Sequence, residues 1–466
     1  MTKPGTETWY EHEEKLRKDG APPEAIAAFR FNYERWVRGD QGWVPESSIE
    51  PVDRLPSLEE IAPAYRSRGE EALGRTVLIK LNGGLGTSMG LAGPKSLVTV
   101  KDGRTFLDIT LGHVQFLQRP LLLMNSFATA PATASFLAAR ELPSQPVRRS
   151  FSQHRVPKVD PETGRPARWP EDPDLEWCPP GHGDLYPAVR TRGVLRELLA
   201  AGFRYAFVSN IDNLGATLDL GLLGYLAAER ISFLMEVTQR TPADRKGGHL
   251  ARAQDGRLVL REVAQCPAGD LPAFQDIARH RYFNTNNLWI DLEALDLELS
   301  RRGGFLPLPL IANRKPVDPT RPASPVVVQL ENAMGAAVSC FERARAVAVP
   351  RDRFLAVKTC NDLLVTRSDA TRLTEDFRLV PDPHRRAPFL PLVDLDERYY
   401  GLLHDFQERF PGPLPSLAHC LELKVIGDIC FAAPVVCDGV VELVNGSDRQ
   451  VVIEKPLHVT GRHVFG

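Results

Sequence analysis

Six short apolar runs, several of them continuous rather than alternating, constrain this chain more than any other feature. They are "TVLIKLN" (76–82), "LLLMN" (121–125), "YAFVSNID" (205–212), "FLMEVT" (233–238), "NLWID" (287–291) and "RFLAVK" (353–358). A continuously apolar strand needs cover on both faces, which a parallel sheet flanked by helices supplies. Helical stretches such as "RGVLRELLAAG" lie between the runs. The pattern therefore reads as α/β, with a doubly wound, mixed or mostly parallel sheet. Before it, Ile26, Phe29, Tyr33 and Val37 recur at helical spacing and Gly39 follows as a stop, so residues 1–75 read as a helical cap. Toward the C-terminus, short Val-rich runs alternate with Gly/Asp turns and no helical period. The expected organisation is a helical segment over 1–75, a core domain over 76–400, and a small β-rich, β-helix-like element over 401–466.

Composition narrows the class. With 466 residues, 43% hydrophobic and 25% charged, the chain has the makings of a large globular core. A formal net charge of −2 gives no electrostatic case for nucleic acid or an anionic membrane as partner. The uncharged stretch from Pro120 to Ala139 contains Asn125 and Pro131, so it predicts a buried strand, a loop and a helix rather than a membrane span. Cys178, Cys266, Cys340, Cys360, Cys420, Cys430 and Cys437 form no CxxC pair and are odd in number. Free thiols in a reducing cytoplasm are expected. The N-terminal stretch "MTKPGTETWYEHEEKLRKDG" lacks the apolar run of a signal peptide. Two Pro-rich intervals, 141–187 and 303–325, read as long surface loops of the kind that usually carry function.

In open α/β sheets, ligands bind outside the carboxyl ends of the strands. Here the runs end in Asn82 with Gly83 and Gly84, in Asn125, in Asn210 and Asp212, in Glu236 and in Lys358, while Asn284, Asn286 and Asn287 lie at the head of another. Chains leaving a sheet turn polar anyway, but here amides, carboxylates and lysines would share one rim. The stretch "LNGGLGTSMGLAGPKS" (81–96) follows the first run. It is not a P-loop, because Pro94 separates Gly93 from Lys95, and not a dinucleotide fingerprint, because Met89 holds the third glycine position. Its glycines still permit positive φ and leave N–H groups free to face an anion, and Lys95 adds a charge. Asp212 suits a hard divalent ion such as Mg²⁺, which takes one or two carboxylates plus phosphate oxygens. In "WCPPGHGDLYPA", His182 stands between two glycines with nothing to obstruct a donor to phosphate or sugar. The amides of Asn286 and Asn287 both donate and accept, as hydroxyl recognition requires. No HExxH, GxSxG or His/Cys metal spacing occurs.

"KLNGGLGTSMG…GPKSL", "FVSNIDNLGA", "PPGHGD", "MEVT", "KGG", "FNTNNLWI" and "FLAVKT" together resemble the eukaryotic-type UTP–glucose-1-phosphate uridylyltransferases, in matching order and spacing. The resemblance implies a nucleotide-diphospho-sugar-transferase core with a C-terminal β-helix. It also implies conversion of UTP and glucose 1-phosphate to UDP-glucose and pyrophosphate with Mg²⁺. Carried over by position, Leu81, Asn82, Gly83 and Gly84 would receive the nucleotide, the two glycines also lying near the sugar phosphate. Lys95 and Lys358 would contact the reacting phosphates, and Gln153 and Gly181 the nucleotide, at its base. His182, Asn210, Ile211 and Asp212 would face the sugar phosphate, Asp212 doubling as metal ligand. Glu236 and Asn286 would reach sugar hydroxyls. Lys95, Asp212 and Lys358 form the expected catalytic set. Ala92 stands where some relatives carry a further lysine, and Cys360 and Asn361 replace small hydroxyl residues. Two alternatives remain: the same chemistry on galactose or N-acetylhexosamine 1-phosphates, or a non-catalytic nucleotide-sugar-binding protein. The three charged residues together weigh against the second. Any self-association would run through the C-terminal element.

Overall fold

The computed structural model describes residues 6–40, 42–385, 387 and 389–465. Ten strands build its central sheet: β1 (Ile49–Pro51), β2 (Thr76–Asn82), β3 (Leu121–Asn125), β4 (Ser150–Ser152), β5 (Tyr205–Asn210), β6 (Phe233–Gln239), β7 (His249–Ala253), β8 (Leu258–Arg261), β9 (Tyr282–Asp291) and β10 (Ala344–Ala348). Across its width the order is β4–β3–β2–β5–β9–β6–β10. All run parallel except β9, which is antiparallel to both β5 and β6. β7, β8 and β1 extend the sheet antiparallel from the start of β9.

The pleat sends alternate side chains of each strand into different cores. Leu78, Leu121, Leu123 and Phe207 join one cluster, while Val77, Ile79, Leu122, Met124 and Val208 join the cluster on the other face. This two-sided burial is why these strands read as unbroken apolar runs. Lys80 is the charged exception in β2. It is buried, donates to Ser209 Oγ at 2.7 Å and the Ala216 carbonyl at 2.9 Å, and burial pushes its pKa down to about 7.

Two expectations change. Residues 353–358 form no strand of the sheet: Arg351–Arg353 is a 3-10 turn, and Ala356 makes only an isolated bridge to Asn213. The N-terminal segment, whose residues 1–5 and 41 lie outside the described residues, holds helices α1 (Thr6–Lys18), α2 (Pro23–Val37) and α3 (Leu58–Leu73), but also contributes β1 to the sheet. α3 opens on a capping box from Ser57 and Glu60. It lies so close to helix α4 (Leu220–Ala228) that a Cβ on Gly224 would sit 1.9 Å from the Tyr65 carbonyl oxygen.

α1 and α2 brace the long loop after β4. His12 and Tyr33 both bond the Gly164 carbonyl, at 2.9 and 2.8 Å. Lys15 pairs with Glu176, and Asn32 Nδ2 donates to Asn332 Oδ1 at 2.6 Å. The C-terminal element begins before residue 401. Strands β11 (Leu392–Leu395), β12 (Ser416–Ile426), β13 (Val435–Asn445) and β14 (Leu457–Phe465) stack in parallel, with a second parallel pair between Ile429–Phe431 and Val451–Ile453. Two short helices lie between β11 and β12, but from β12 to β14 the parallel strands are joined without helices, as coils of a β-helix are. Their interior residues, Leu417, Leu423, Phe431 and Leu443 among them, are continuous with the core of the main domain. No helix among the described residues is long and apolar enough to cross a membrane.

Burial sets the acid limit of this fold. Desolvation lowers the pKa of His12 to about 4, of His182 to about 4 and of His249 to about 2, against 6.5 ordinarily. Below about pH 6.5 the unfolded chain takes up protons at these sites and the folded chain does not. Their contribution to stability is therefore whole above that pH and is lost as pH falls toward the folded values. Glu262, raised by burial to about 6, and Glu331, also raised by burial, work in the opposite direction, while His113 and His280, lowered by burial, add to the three. Unfolding free energy measured by denaturant titration is expected to fall by a few kcal/mol, roughly 1.4 per pH unit for each histidine, between about pH 6.5 and 4.5. His12→Gln, which keeps a donor for the Gly164 carbonyl, should flatten that slope.

Candidate active site

The carboxyl ends of β2, β3 and β5 open into a cavity of about 1010 Å³. Its floor starts where β2 ends. Asn82 is buried and donates to Asn125 Oδ1 at 2.8 Å and Thr133 Oγ1 at 2.9 Å, tying the ends of β2 and β3 together. The chain then turns through Gly83 and Gly84 and closes on itself, because the Lys95 N–H donates to the Gly84 carbonyl at 3.1 Å. Between them Gly86 and Gly90 adopt positive φ, and Met89 plugs into the core at 1% exposure. The residue that breaks the dinucleotide pattern is thus the anchor of the loop.

Three charged side chains meet at one atom. Lys95 Nζ donates to Asp212 Oδ2 at 2.9 Å and Lys358 Nζ donates to the same oxygen at 2.8 Å. Burial alone would push the Asp212 carboxyl up; the Lys358 and Lys95 charges outweigh it and hold the group below its ordinary range. The second oxygen, Oδ1, is buried without a hydrogen-bond partner. An ionised carboxylate with an unpartnered oxygen beside the cavity is a fit for a hard cation that draws its remaining ligands from phosphate. No group of three or more His, Cys, Asp or Glu among the described residues forms a self-sufficient metal cage. The two lysines differ: the side chain of Lys95 is 10% exposed and that of Lys358 52%, so one is fixed and the other has room to move.

On the opposite wall, Gly181 takes φ +80° with its Cα pressed against Asn332, where a Cβ would lie 2.5 Å from the backbone oxygen. The Gly183 N–H donates to that same oxygen at 2.8 Å. The loop so pinned presents His182. Its Nδ1 accepts the Met334 N–H at 3.0 Å. A backbone N–H can only donate, and burial followed by the Lys358 charge lowers the imidazole to about 4. His182 is therefore neutral at pH 7 with its proton on Nε2, a ready donor. Gln153 packs over Gly83, where a Cβ would meet its Nε2 at 2.8 Å; a side chain in place of Gly83 would crowd that amide.

Of the residues singled out in the sequence, Leu81, Gly83, Gly84, Lys95, Gln153, Gly181, His182, Asn210, Ile211, Asp212 and Lys358 all line this cavity. Asn82, Glu236 and Asn286 do not. Asn82 is a strand tie. Glu236 is fully buried, its carboxylate gripped by Arg353, Asn287 and Trp289. Asn286, at φ +57°, exchanges hydrogen bonds with Asn284. Ala92, on the rim loop, is exposed. The cavity also recruits Phe127, just after β3, and Lys158, Trp177, Lys315 and Gln329, which stand on or beside the Pro-rich intervals. Glu262, beside Gly248 and Asn284, is a further acid with a strongly raised pKa, a property that clusters at functional sites.

Comparison with known proteins bears on this geometry. Residues 26–437 match the family model described as UTP--glucose-1-phosphate uridylyltransferase. The UTP--glucose-1-phosphate uridylyltransferase of Saccharomyces cerevisiae is 40% identical over 433 residues, 91% of this chain and 84% of that protein. That of Encephalitozoon cuniculi is 36% identical over 447 residues, 94% of this chain and 87% of the relative. Among solved structures, the UDP-glucose pyrophosphorylase of Leishmania major, described in open and closed structures, superposes with a TM-score of 0.91 at 43% identity, covering 98% of this chain and 99% of that one. A variant of it in complex with UDP-glucose gives 0.90 at 42%, with the same coverage.

The pinned glycine supplies a test of the local architecture. Gly181→Ala would force a Cβ into the Asn332 backbone at an unfavourable φ, at a cost of about 1–3 kcal/mol. The denaturation midpoint should fall accordingly. An unchanged midpoint would mean that the loop carrying His182 yields freely.

Proposed function

The chain belongs to the UTP–glucose-1-phosphate uridylyltransferase family, and on that premise we propose that its cavity takes UTP and glucose 1-phosphate and releases UDP-glucose and pyrophosphate. An anionic phosphate oxygen of glucose 1-phosphate attacks the α-phosphorus of UTP in line. The new O–P bond forms as the bond to the bridging oxygen breaks, and pyrophosphate departs with that electron pair. The nucleophile already carries its charge, so no protein base is needed. The difficulty lies in bringing two polyanions together and in charge growing on the leaving oxygens, which positioned cations relieve.

The observation that carries this reading is the convergence of Lys95 and Lys358 on Asp212 Oδ2 while Oδ1 stays unpartnered. Two ammonium groups around one oxygen repel each other by roughly 3 kcal/mol at an effective dielectric of 20. The carboxylate holds them together until phosphates replace it as their partner. Asp212 would hold Mg²⁺ through Oδ1, and a bound Mg²⁺ supplies charge neutralisation on the reacting phosphates. Gln153 offers the base a paired donor and acceptor, and the Nε2 proton of His182 is available to a sugar-phosphate oxygen. The seven cysteines are all free thiols, which supports the cytoplasm as the working compartment.

Purified protein given UTP, glucose 1-phosphate and Mg²⁺ should release pyrophosphate and form UDP-glucose, and chelation of the metal should stop it. Lys95→Ala and Lys358→Ala should each lower kcat at least about tenfold, the scale of losing one charge aimed at the transition state. A Lys95→Ala enzyme with normal turnover would remove that residue from the reaction. Absence of UDP-glucose with the unaltered protein would overturn the assignment as a whole.

A further inference from the structure

Glu236 and Arg353 form an ion pair inside the protein, 0% and 7% exposed. Glu236 Oε1 accepts from Trp289 Nε1 at 2.8 Å and Arg353 Nη2 at 2.7 Å, and Oε2 from Asn287 Nδ2 at 3.1 Å and Arg353 Nε at 2.7 Å. No room is left on the carboxylate for a substrate hydroxyl. A buried pair of this kind is seldom retained for stability, since well-packed apolar residues often serve as well or better. Its use is to be sought in what it positions.

The backbone of Arg353 leads to the reacting centre. Its carbonyl accepts from both Asn213 Nδ2 and Asn287 Nδ2, each at 3.2 Å. The Leu355 N–H donates to Asn213 Oδ1 at 2.9 Å. The Leu214 N–H donates to the Leu355 carbonyl at 3.2 Å, and the Val357 N–H to the Asp212 carbonyl at 3.1 Å. The next residue is Lys358, whose ammonium sits on Asp212. Residues 354–358 belong to no strand of the sheet and meet the 212–215 turn only through the isolated Asn213–Ala356 bridge, a short contact whose one anchored end is Arg353.

We propose that the Glu236–Arg353 pair is the positioning device for Lys358: the bidentate grip on the guanidinium sets the register of the 353–358 segment and thereby the reach of Lys358 to the reacting phosphates. Arg is suited to this because its planar fork admits one orientation against a carboxylate. Neither residue lines the cavity, and the effect passes through Lys358. The inference rests on the uridylyltransferase reading above and adds the means by which its more exposed lysine is aimed.

A double-mutant cycle tests it. Arg353→Met should lower kcat about ten- to a hundredfold, the scale of a small misplacement, while KM for UTP moves by less than about threefold because binding to the fixed wall persists. In a Lys358→Ala background the same change should cost less than about twofold, since the residue it positions is gone. A general loss of structure would instead lower activity equally in both backgrounds. Should Arg353→Met fail to fold, Glu236→Leu with Arg353→Met leaves no unpaired charge and takes its place in the cycle. Equal losses with and without Lys358, or normal kcat in the folded variant, would overturn the proposal. An unaltered protein that makes no UDP-glucose would instead remove the reading on which it rests.

Discussion

One carboxylate oxygen organises the functional end of this molecule. Asp212 Oδ2 receives Lys95 from the loop after β2 and Lys358 from a segment near the end of the main domain. Two cations this close are unfavourable without a shared anion, and an anion this buried is unfavourable without cations. The three groups are therefore tolerable only together. Their meeting requires β2 and β5 to be neighbours, which their parallel register enforces, and it requires the 353–358 segment to fold back along the end of β5. The sheet, the glycine loop and the buried Glu236–Arg353 pair can all be read as conditions for that meeting.

Much of this frame was legible before any coordinates. The runs at 76–82 and 121–125 coincide with β2 and β3, because two-sided burial leaves an unmistakable signature. The run at 353–358 did not become a sheet strand although its apolar residues look alike. Its first side chain is the arginine committed to Glu236, and its N–H and C=O groups are spent partly on the Asn213 side chain and the 212–214 backbone. Apolar content alone cannot tell partners in a sheet from partners in a turn. The direction of β9 was equally hidden, since the burial pattern of "NLWID" is the same in either orientation.

For the site, the legible residues were those whose type is unusual for their place: glycines in series, a Pro-restrained lysine, an aspartate at a strand end. Phe127, Trp177, Lys315 and Gln329 were not, because nothing local distinguishes a cavity wall from an ordinary loop. Trp177, for one, depends on α1 and α2 bracing the 150–180 loop through Gly164 and Glu176, contacts spanning more than a hundred positions. Glu236 shows the converse. A strand-end acid looks available, yet Arg353, more than a hundred positions away, had already claimed it.

The glycine-rich loop explains why side-chain charge must do so much here. In a P-loop, phosphate meets the N-terminus of a long helix, and backbone N–H groups and the helix dipole share the work. This loop leads only into three-residue 3-10 turns, Thr87–Met89 and Lys95–Leu97, too short to develop a macrodipole. Met89 buried in the core and the Lys95 N–H bonded back to Gly84 hold it in a closed shape. That closure aims Lys95 but leaves the backbone little positive field of its own. With Ala92 contributing no charge, the positive charge this end of the cavity carries is that of Lys95 and Lys358, gathered on Asp212. Of the two lysines, the exposed one is the one that needs a buried ion pair to keep it in place.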